Sequence, residues 1–327
     1  MITRRAALIG AGAGAALASA PRITLAADYP SQPITIVIPF VPGGTSDIIA
    51  RVLAQKLQPI LGVNLVVENR AGAGGTVGVQ DVAKADPDGY TILAGAIGNL
   101  AFTPWLYPQA KLDPVKSFAP ITQDSVVPNV LVINPKLPVN NVKELVAYIK
   151  ANPGKVNYAS AGVGSAAHIS VAYFSSVAGG LDMVHIPYKG TGPALTDIVA
   201  GRCQMTITGA PPVMPFAKSG QLKALAITSL ERAPFLPDLP TVAESGYPGF
   251  EAVQWNGLLA PAKTPPAIVQ KLHDAVAKVM SDPETVSKFR DEGALVVNKS
   301  SADFAKLIAT DYVKWGDVIK KAGITGG

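Results

Sequence analysis

Two glycine-bearing turns constrain this chain of 327 residues most, because each joins an apolar, strand-like run to an amphipathic, helix-like run. The first spans residues 34–47 (Ile-Thr-Ile-Val-Ile-Pro-Phe-Val-Pro-Gly-Gly-Thr-Ser-Asp), and the second spans residues 157–168 (Asn-Tyr-Ala-Ser-Ala-Gly-Val-Gly-Ser-Ala-Ala-His). A helix that starts directly after such a turn leaves its first four amides without intrahelical acceptors, and its dipole adds partial positive charge there. The two turns therefore predict one anion held between two parts of the fold.

Residues 1–27 have the pattern of a cleaved export signal. The paired arginines Arg4 and Arg5 precede an uncharged stretch at residues 6–20, which is shorter than the ~20 residues of a lasting membrane anchor. This Gly/Ala-rich, weakly apolar stretch resembles a twin-arginine signal, although the match is imperfect and the general secretory route stays open. We expect a periplasmic protein, with cleavage near Ala26 or Ala27.

The composition excludes several classes of function. Residues 1–27 contain three arginines and no acid, so 25 of the 28 basic side chains remain against 23 acidic ones, a formal charge of +2. This near balance, without a cluster of basic and aromatic residues, predicts no binding to nucleic acid. Cys203 is the single cysteine, and the histidines have no metal-ligand spacing, so we expect no internal disulfide, no metal and no cofactor.

Short apolar runs, such as residues 130–133, alternate with helical stretches up to Ala260, which predicts an α/β protein with largely parallel sheets. After Ala260 the sequence predicts helices only. At this length two domains are the default, yet no low-complexity linker separates them. We therefore expect the chain to cross between two lobes along extended segments, with residues 123–129 and 249–254 as the candidates.

Five motifs resemble those of the Bug, or TctC-like, family, the solute-binding proteins of tripartite tricarboxylate transporters. They occur in the family's order over essentially the whole mature chain: Pro39-Phe-x-Pro-Gly-Gly-x-x-Asp47, Asn69-Arg-x-Gly-x-Gly-Gly75, Asp86-Pro-Asp-Gly-Tyr-Thr91, Ser160-x-Gly-x-Gly-Ser-x-x-His168, and Pro187-Tyr-Lys-Gly-x-x-Pro193 followed by Asp197. One departure is visible, since Gly201-Arg-Cys-Gln204 stands where many members have Gly-x-Val-Asp.

The resemblance implies a two-lobed, type II periplasmic-binding-protein fold with two crossover strands and a helical C-terminal segment. Residues 28–125 and 255–327 would form lobe 1, and residues 126–254 would form lobe 2. The ligand would lie in the cleft between them. Known ligands of the family are mostly small carboxylates, and its partners are membrane permease subunits; we also expect a monomer.

The candidate ligand-binding residues lie in the loops after the predicted strands, where glycine lets the backbone approach a ligand closely. They are Phe40, Gly43, Gly44, Thr45, Asn99, Ser160, Gly162, Gly164, Ser165, His168, Gly190 and Thr191. Residues 71–75 and 95–99 are two further candidate loops.

Several residues in these motifs have structural explanations that compete with ligand contact. Asp47 is better explained as a dipole-compensating or capping carboxylate, since it would repel an anion. His168 is at least as well explained by a structural hydrogen bond behind its loop. The roles of Lys189, as a cation, and of Asp197, as a partner for an ammonium group, stay open.

An enzyme is the alternative interpretation, because residues 162–167 (Gly-Val-Gly-Ser-Ala-Ala) satisfy the G-x-G-x-x-A form of the dinucleotide fingerprint. That fingerprint expects an acid at the end of the next strand, whereas Asp182 precedes that strand. No G-x-S-x-G motif is present either. We therefore predict a periplasmic solute-binding protein for a small carboxylate that performs no catalysis, and the sequence leaves the identity of the acid open.

Overall fold

The computed structural model describes residues 29–321 and 323–325. The predicted export signal lies outside these described residues. The strands of the described part are β1 (Ile34–Ile38), β2 (Leu65–Asn69), β3 (Thr91–Ala96), β4 (Phe118–Ile133), β5 (Asn157–Ser160), β6 (Val184–Pro187), β7 (Met205–Gly209), β8 (Lys223–Ile227), β9 (Val253–Pro261) and β10 (Leu295–Val296). The α-helices are α1 (Thr45–Leu61), α2 (Thr76–Ala83), α3 (Thr103–Leu106), α4 (Val142–Ala151), α5 (Ala166–Val177), α6 (Thr191–Val199), α7 (Ala210–Lys218), α8 (Pro266–Met280), α9 (Pro283–Asp291) and α10 (Ser301–Lys321).

The sheet is parallel toward both ends and antiparallel in the middle. Its strand order is β2-β1-β3-β9-β4-β7-β5-β6, with β8 and β10 also paired to β4. At one end β1 runs parallel to β2 and β3, and at the other β5 runs parallel to β6 and β7. This mixed sheet with helices between its strands confirms the predicted α/β class. The expectation of largely parallel sheets is wrong, because five of the nine strand pairings in the described residues are antiparallel.

Strand β4 runs from one half of the sheet into the other. Its residues 118–128 pair with β9, and its residues 129–133 pair with β7 and β8. Strand β9 brings the chain back, so the two predicted crossover strands are confirmed. The expected short strand at residues 130–133 is only the last part of β4, because the extended connection before it also finds a partner in β9.

Helix α1 shows how local sequence positions the candidate site. It begins after Gly44 and buries Ile49, Leu53 and Leu57, whose spacing of four residues places them on one face. It ends at Gly62, which has the left-handed φ of 71° and whose N–H donates to Gln58 O. The buried face fixes the helix on the sheet, and the helix start therefore lies at the end of β1.

Two further sequence predictions were wrong. Strands do not stop after Ala260, because β10 pairs with β4 through Leu295 and Val296. Residues 95–99 do not form a loop, since Gly95 belongs to β3 and a helical turn covers Gly98–Phe102. This turn buries all of its side chains, so packing rather than solvent exposure governs the segment.

The two halves have separate cores. Ile36, Leu53 and Leu272 belong to a buried cluster between β1, α1 and α8, whereas Leu131 and Phe174 belong to one between β4 and α5.

In the described residues, no helix combines the length and the apolar character needed to span a bilayer. Nor do the described residues bring together three or more His, Cys, Asp or Glu side chains as a metal site would require.

Candidate functional site

Three helices, α1, α5 and α6, begin at one cavity. Each contributes its N-cap residue and its first residue to the wall. The cavity contains about 550 Å³ of empty space, its open mouth included. It is lined by Phe40, Val41, Gly44, Thr45, Ser46, Asp47, Ala96, Gly98, Ala161, Ser165, Ala166, Ala167, Gly190, Thr191, Thr208 and Gln254. The arrangement directs the positive ends of three helix dipoles at one space.

The loop before α1 is braced by Asp47. Its Oδ2 accepts from Gly43 N at 2.9 Å, and its Oδ1 accepts from Arg51 Nε at 3.0 Å and from Asn69 Nδ2 at 2.9 Å. Burial opposes the charge, but these hydrogen bonds and Arg51 hold the pKa of Asp47 below its ordinary value. The carboxylate therefore supports the loop, as the sequence predicted, and Gly43 lies outside the cavity wall.

The loop before α5 is braced by a histidine. Ser165 caps the helix, with its Oγ accepting from His168 N at 3.3 Å, while His168 Nδ1 accepts from Gly164 N at 3.1 Å. Ser165 lines the cavity, whereas Gly164 and His168 lie behind the loop. The structural hydrogen bond that the sequence suggested for His168 is present.

A stack of three aromatic rings supports this loop from below. The ring centroids are 4.8 Å apart between Tyr158 and His185, and 4.0 Å apart between His185 and His168. Burial, together with the neighbouring His185, lowers the pKa of His168 to about 4, and burial also lowers that of His185. Both rings are therefore neutral near pH 7. His185 Nε2 lies 2.6 Å from Ser160 Oγ, which places Ser160 in the support and not in the wall.

The loop before α6 brings the second half of the fold against the first. A Cβ added to Gly190 would lie 2.1 Å from Val41 Cγ2, so only a glycine fits there. The neighbouring Lys189 is exposed at the mouth. Asp197 does not line the cavity, since its carboxylate accepts from Tyr188 and from Arg202. The interpretation of Asp197 as a helix residue with a structural role therefore fits the structure better than contact with an ammonium group.

A second, outer compartment adjoins the cavity. The two share Phe40 and Ser165, and the outer one contains about 920 Å³ of empty space, open solvent included. The outer compartment is also lined by residues 71–75, Tyr107, Gly162 and Lys189. Residues 71–75 lead into α2, where Thr76 Oγ1 is buried without a hydrogen-bond partner among the described residues. The glycine-rich loop predicted at residues 71–75 thus lies on the cleft.

Seven of the predicted site residues line the two compartments: Phe40, Gly44, Thr45, Gly162, Ser165, Gly190 and Thr191. The other five lie behind these walls: Gly43, Asn99, Ser160, Gly164 and His168. Asn99 is fully buried and its Oδ1 accepts from Ala96 N at 3.1 Å.

Sequence reasoning missed Thr208 and Gln254. Thr208 stands near the carboxyl end of β7, which runs parallel to β5, so both strands end at the same edge of the sheet. Gln254 lies in the predicted crossing segment 249–254 and points to the same space. Both residues could have been identified from the sequence, since the ends of predicted strands and the crossing segments lie next to the cleft in this class of fold.

The departure at Gln204 is structural. Its Oε1 accepts from Asn157 N at 2.8 Å, and its backbone N–H donates to Asn157 O, so it joins the starts of β5 and β7.

The structure gives no support to the dinucleotide fingerprint at residues 162–167. Strand β6 ends at Pro187, and the residues that follow it are Tyr188 and Lys189 rather than an acid for a ribose.

Comparisons with known proteins place this geometry in a family. The family model for the tripartite tricarboxylate transporter family receptor matches residues 49–324. The protein BugT of Bordetella pertussis is 38% identical over 324 residues, which cover 98% of each chain. The structure of R. palustris Rpa4515 with adipate is 35% identical, with a TM-score of 0.88 over 92% of this chain and 100% of that one.

A structure of MatC (Rpa3494) from Rhodopseudomonas palustris with bound malate is 33% identical. Its TM-score is 0.84, over 89% of this chain and 100% of that one. The match to BugT, over 324 residues, extends through both halves of the sheet and the three helix starts. The chain belongs to the family of tripartite tricarboxylate transporter receptors.

Proposed function

We propose that this protein is a receptor that captures a small dicarboxylate in the cleft and delivers it to a membrane transporter. The observation that carries this proposal is the convergence of α1, α5 and α6 on one cavity. Asp47 is the single charged side chain among its lining residues, and its negative charge is offset by an ion pair with Arg51, whose Nη2 lies 2.9 Å from Asp47 Oδ1. An anion can therefore approach the three helix starts with little repulsion.

The first carboxylate group would be held chiefly by backbone amides. Helices α1 and α6 have no side-chain cap, so their first N–H groups are free of such an acceptor. Thr45, Ser165 and Thr191 add hydroxyl groups on the same wall. Each helix holds its own donors in a fixed local geometry before the anion arrives, which limits the entropy lost on binding.

The second carboxylate group would lie in the outer compartment. Lys189 supplies a cation at its mouth, and the start of α2 supplies a further positive helix end. Relatives with bound adipate and malate, which are both dicarboxylates, support this choice. The distance between the two compartments would set the preferred length of the acid.

Binding would bring the two lobes together by hinge closure along β4 and β9. We assign residues 28–125 and 255–327 to lobe 1 and residues 126–254 to lobe 2, because β4 leaves β9 for β7 near the first boundary. The close approach of Gly190 to Val41 would join the lobes in the closed form. A permease would then recognise this closed form.

The proposal includes no chemical step. The histidines beside the cleft support a loop and present no nucleophile to a substrate. We infer a monomer that works in the periplasm, because the family serves transporters and residues 1–27 have the pattern of an export signal. An exported nucleotide-dependent enzyme is the competing function.

A thermal-shift screen of the mature protein tests the proposal. The panel contains malate, succinate, adipate, citrate, benzoate, an amino acid and NAD. A ligand at a hundredfold excess over its Kd adds about 2.7 kcal/mol to the free energy of unfolding. We expect malate or adipate to raise the melting temperature by several degrees and NAD to leave it unchanged. A shift with NAD and none with any carboxylate would refute the receptor function.

A further inference from the structure

A row of hydrogen bonds connects the cavity wall to a buried carboxyl group. Ser46, which lines the cavity, donates from Oγ to Asn256 Oδ1 at 3.0 Å. Asn256 Nδ2 donates to Ser125 Oγ at 3.3 Å, and Ser125 Oγ donates to Asp124 Oδ1 at 2.7 Å. All four residues are buried, and Asp124 is only 3% exposed. The row therefore passes through the interior of the hinge, from α1 across β9 to β4.

A bulge in the crossing strand places Asp124 at the end of this row. Gln123 pairs with Gly257 and Ser125 pairs with Asn256, which leaves Asp124 as the extra residue of β4. A bulge of this kind changes the direction of a side chain relative to a regular strand. The carboxyl group consequently lies beside Ser125, inside the hinge and away from solvent.

The direction of the hydrogen bonds depends on the proton of Asp124. In the arrangement described, every donor points toward the carboxyl group, as a carboxylate requires, and the hydroxyl hydrogen of Ser46 is used by Asn256. A protonated Asp124 would donate to Ser125, which would donate to Asn256 after a turn of its amide. Asn256 would then donate to Ser46, and the Ser46 hydroxyl would be free to donate into the cavity.

We propose that Asp124 is a positioning residue that takes up one proton when a carboxylate binds in the cavity, so that Ser46 donates its hydroxyl hydrogen to the bound anion. The inference rests on the proposed function of the cleft. The proton comes from solvent and binds a carboxylate oxygen of Asp124, and no covalent bond between heavy atoms changes. Burial raises the pKa of Asp124 to about 7, against a lowering effect of the Ser125 hydrogen bond, so both forms are populated near neutral pH.

The titratable groups around Asp124 do not bind its side chain, so the hydrogen-bonded row determines whether Asp124 holds a proton. The titratable residues on the elements around this part of β4 include Asp47, Arg51 and Lys56 on α1, Lys271, His273, Asp274 and Lys278 on α8, Lys299 after β10, and Asp303, Lys306, Asp311 and Lys314 on α10. Their contacts lie elsewhere: His273 Nδ1 lies beside Ile121 O, Asp311 accepts from Trp255, and Asp47 is held by Arg51. Within the described residues, none of them forms an ion pair or a hydrogen bond with the Asp124 side chain.

The direction of the pH dependence of affinity follows from the protonated and ionised states of Asp124. A bound anion favours the protonated form of Asp124 through the row, because only that form leaves the Ser46 hydroxyl free to donate to the anion. Affinity should therefore change little around pH 6, where the carboxyl groups of the ligands are still largely ionised, and fall roughly tenfold between about pH 7 and pH 9, since a hydrogen bond to a charged acceptor contributes a factor of this order. Binding at about pH 7.5 should take up a large fraction of one proton.

Calorimetric titration with adipate, and with malate in parallel, tests the proposal. The proton uptake is the slope of the observed enthalpy against the ionisation enthalpy of the buffer, measured in several buffers at one pH. Asp124→Asn can donate to Ser125 permanently, so it should bind with no proton uptake and with an affinity that does not change with pH. Ser46→Ala removes the donor at the cavity and should also abolish the uptake. It reports on the row even if Asp124→Asn does not fold.

The matched control is Asp311→Asn, because burial also raises the pKa of Asp311 but its carboxylate lies outside the row. This variant should keep the proton uptake of the wild type. Uptake that persists in Asp124→Asn or Ser46→Ala overturns the inference, as does loss of uptake in Asp311→Asn. Tight binding of adipate or malate by the wild type without any uptake refutes the inference alone. Failure to bind any acid of the carboxylate panel refutes the receptor function as well.

Discussion

Replacement of Gly190 by alanine should impair closure of the cleft. The added Cβ would lie 2.1 Å from Val41 Cγ2, far inside ordinary contact distance. Gly190 also has a φ of 150°, which L side chains rarely adopt. The strain acts in every folded state, whereas the clash with Val41 acts only where the two lobes meet.

The clash determines how much affinity is lost, and the backbone strain determines how much stability is lost. Overpacking of a close contact costs about 1–3 kcal/mol, and this reduces affinity by roughly fivefold to 150-fold. The double variant Val41→Ala/Gly190→Ala should recover most of that loss, because the next nearest atom of Val41 is its Cβ, at 3.6 Å. The strain of the backbone should persist in the double variant as a lower melting temperature.

Calorimetry with the tightest acid of the panel and thermal unfolding without ligand would measure the two terms separately. Gly192→Ala is the control, since a Cβ there meets no atom within 4 Å and Gly192 has no positive φ. It should keep the affinity of the wild type. If Gly190→Ala binds as tightly as Gly192→Ala, or if Val41→Ala fails to rescue it, the closure argument is refuted.

Three further predictions concern single residues. Because the fold lowers the pKa of His168 to about 4, the unfolded chain binds more protons between about pH 4 and pH 6.5, and stability should fall as pH falls through that window. Urea unfolding of His168→Phe should show a weaker dependence on pH there, and an unchanged dependence would contradict this role. Ser165→Ala should lower stability by about 0.5–2 kcal/mol through its cap and affinity by about 1.5–3 kcal/mol, as measured by unfolding and calorimetry; wild-type affinity would exclude a ligand contact. Gly316→Ala should lower the melting temperature despite a gain in helix propensity of about 1 kcal/mol, because its Cβ would lie 2.3 Å from Trp105 Cε2; a higher melting temperature would contradict that packing.

The sequence alone predicted the loops that form the cleft. Their signals are local, since a glycine or a serine between an apolar run and a helical run determines where a helix begins. The starts of α1 and α5 lie within one residue of the predicted positions. The supporting role of Asp47 could also be predicted from the sequence, because its hydrogen-bond partner Gly43 is only four residues away. The crossing segments were also predicted, because two candidate lobes without a linker between them imply extended connections.

Only the tertiary structure decided which residues of those loops face the cavity. His168 turns behind its loop because its ring stacks on His185, and Thr208 and Gln254 reach the wall through the pairing of distant strands. The row from Ser46 to Asp124 joins residues up to 210 positions apart in the chain. Such contacts depend on strand register and on a bulge, which arise when the sheet assembles. No local pattern of residue types encodes them, because the same serine or asparagine satisfies its hydrogen bonds equally well with water until a partner from another strand arrives.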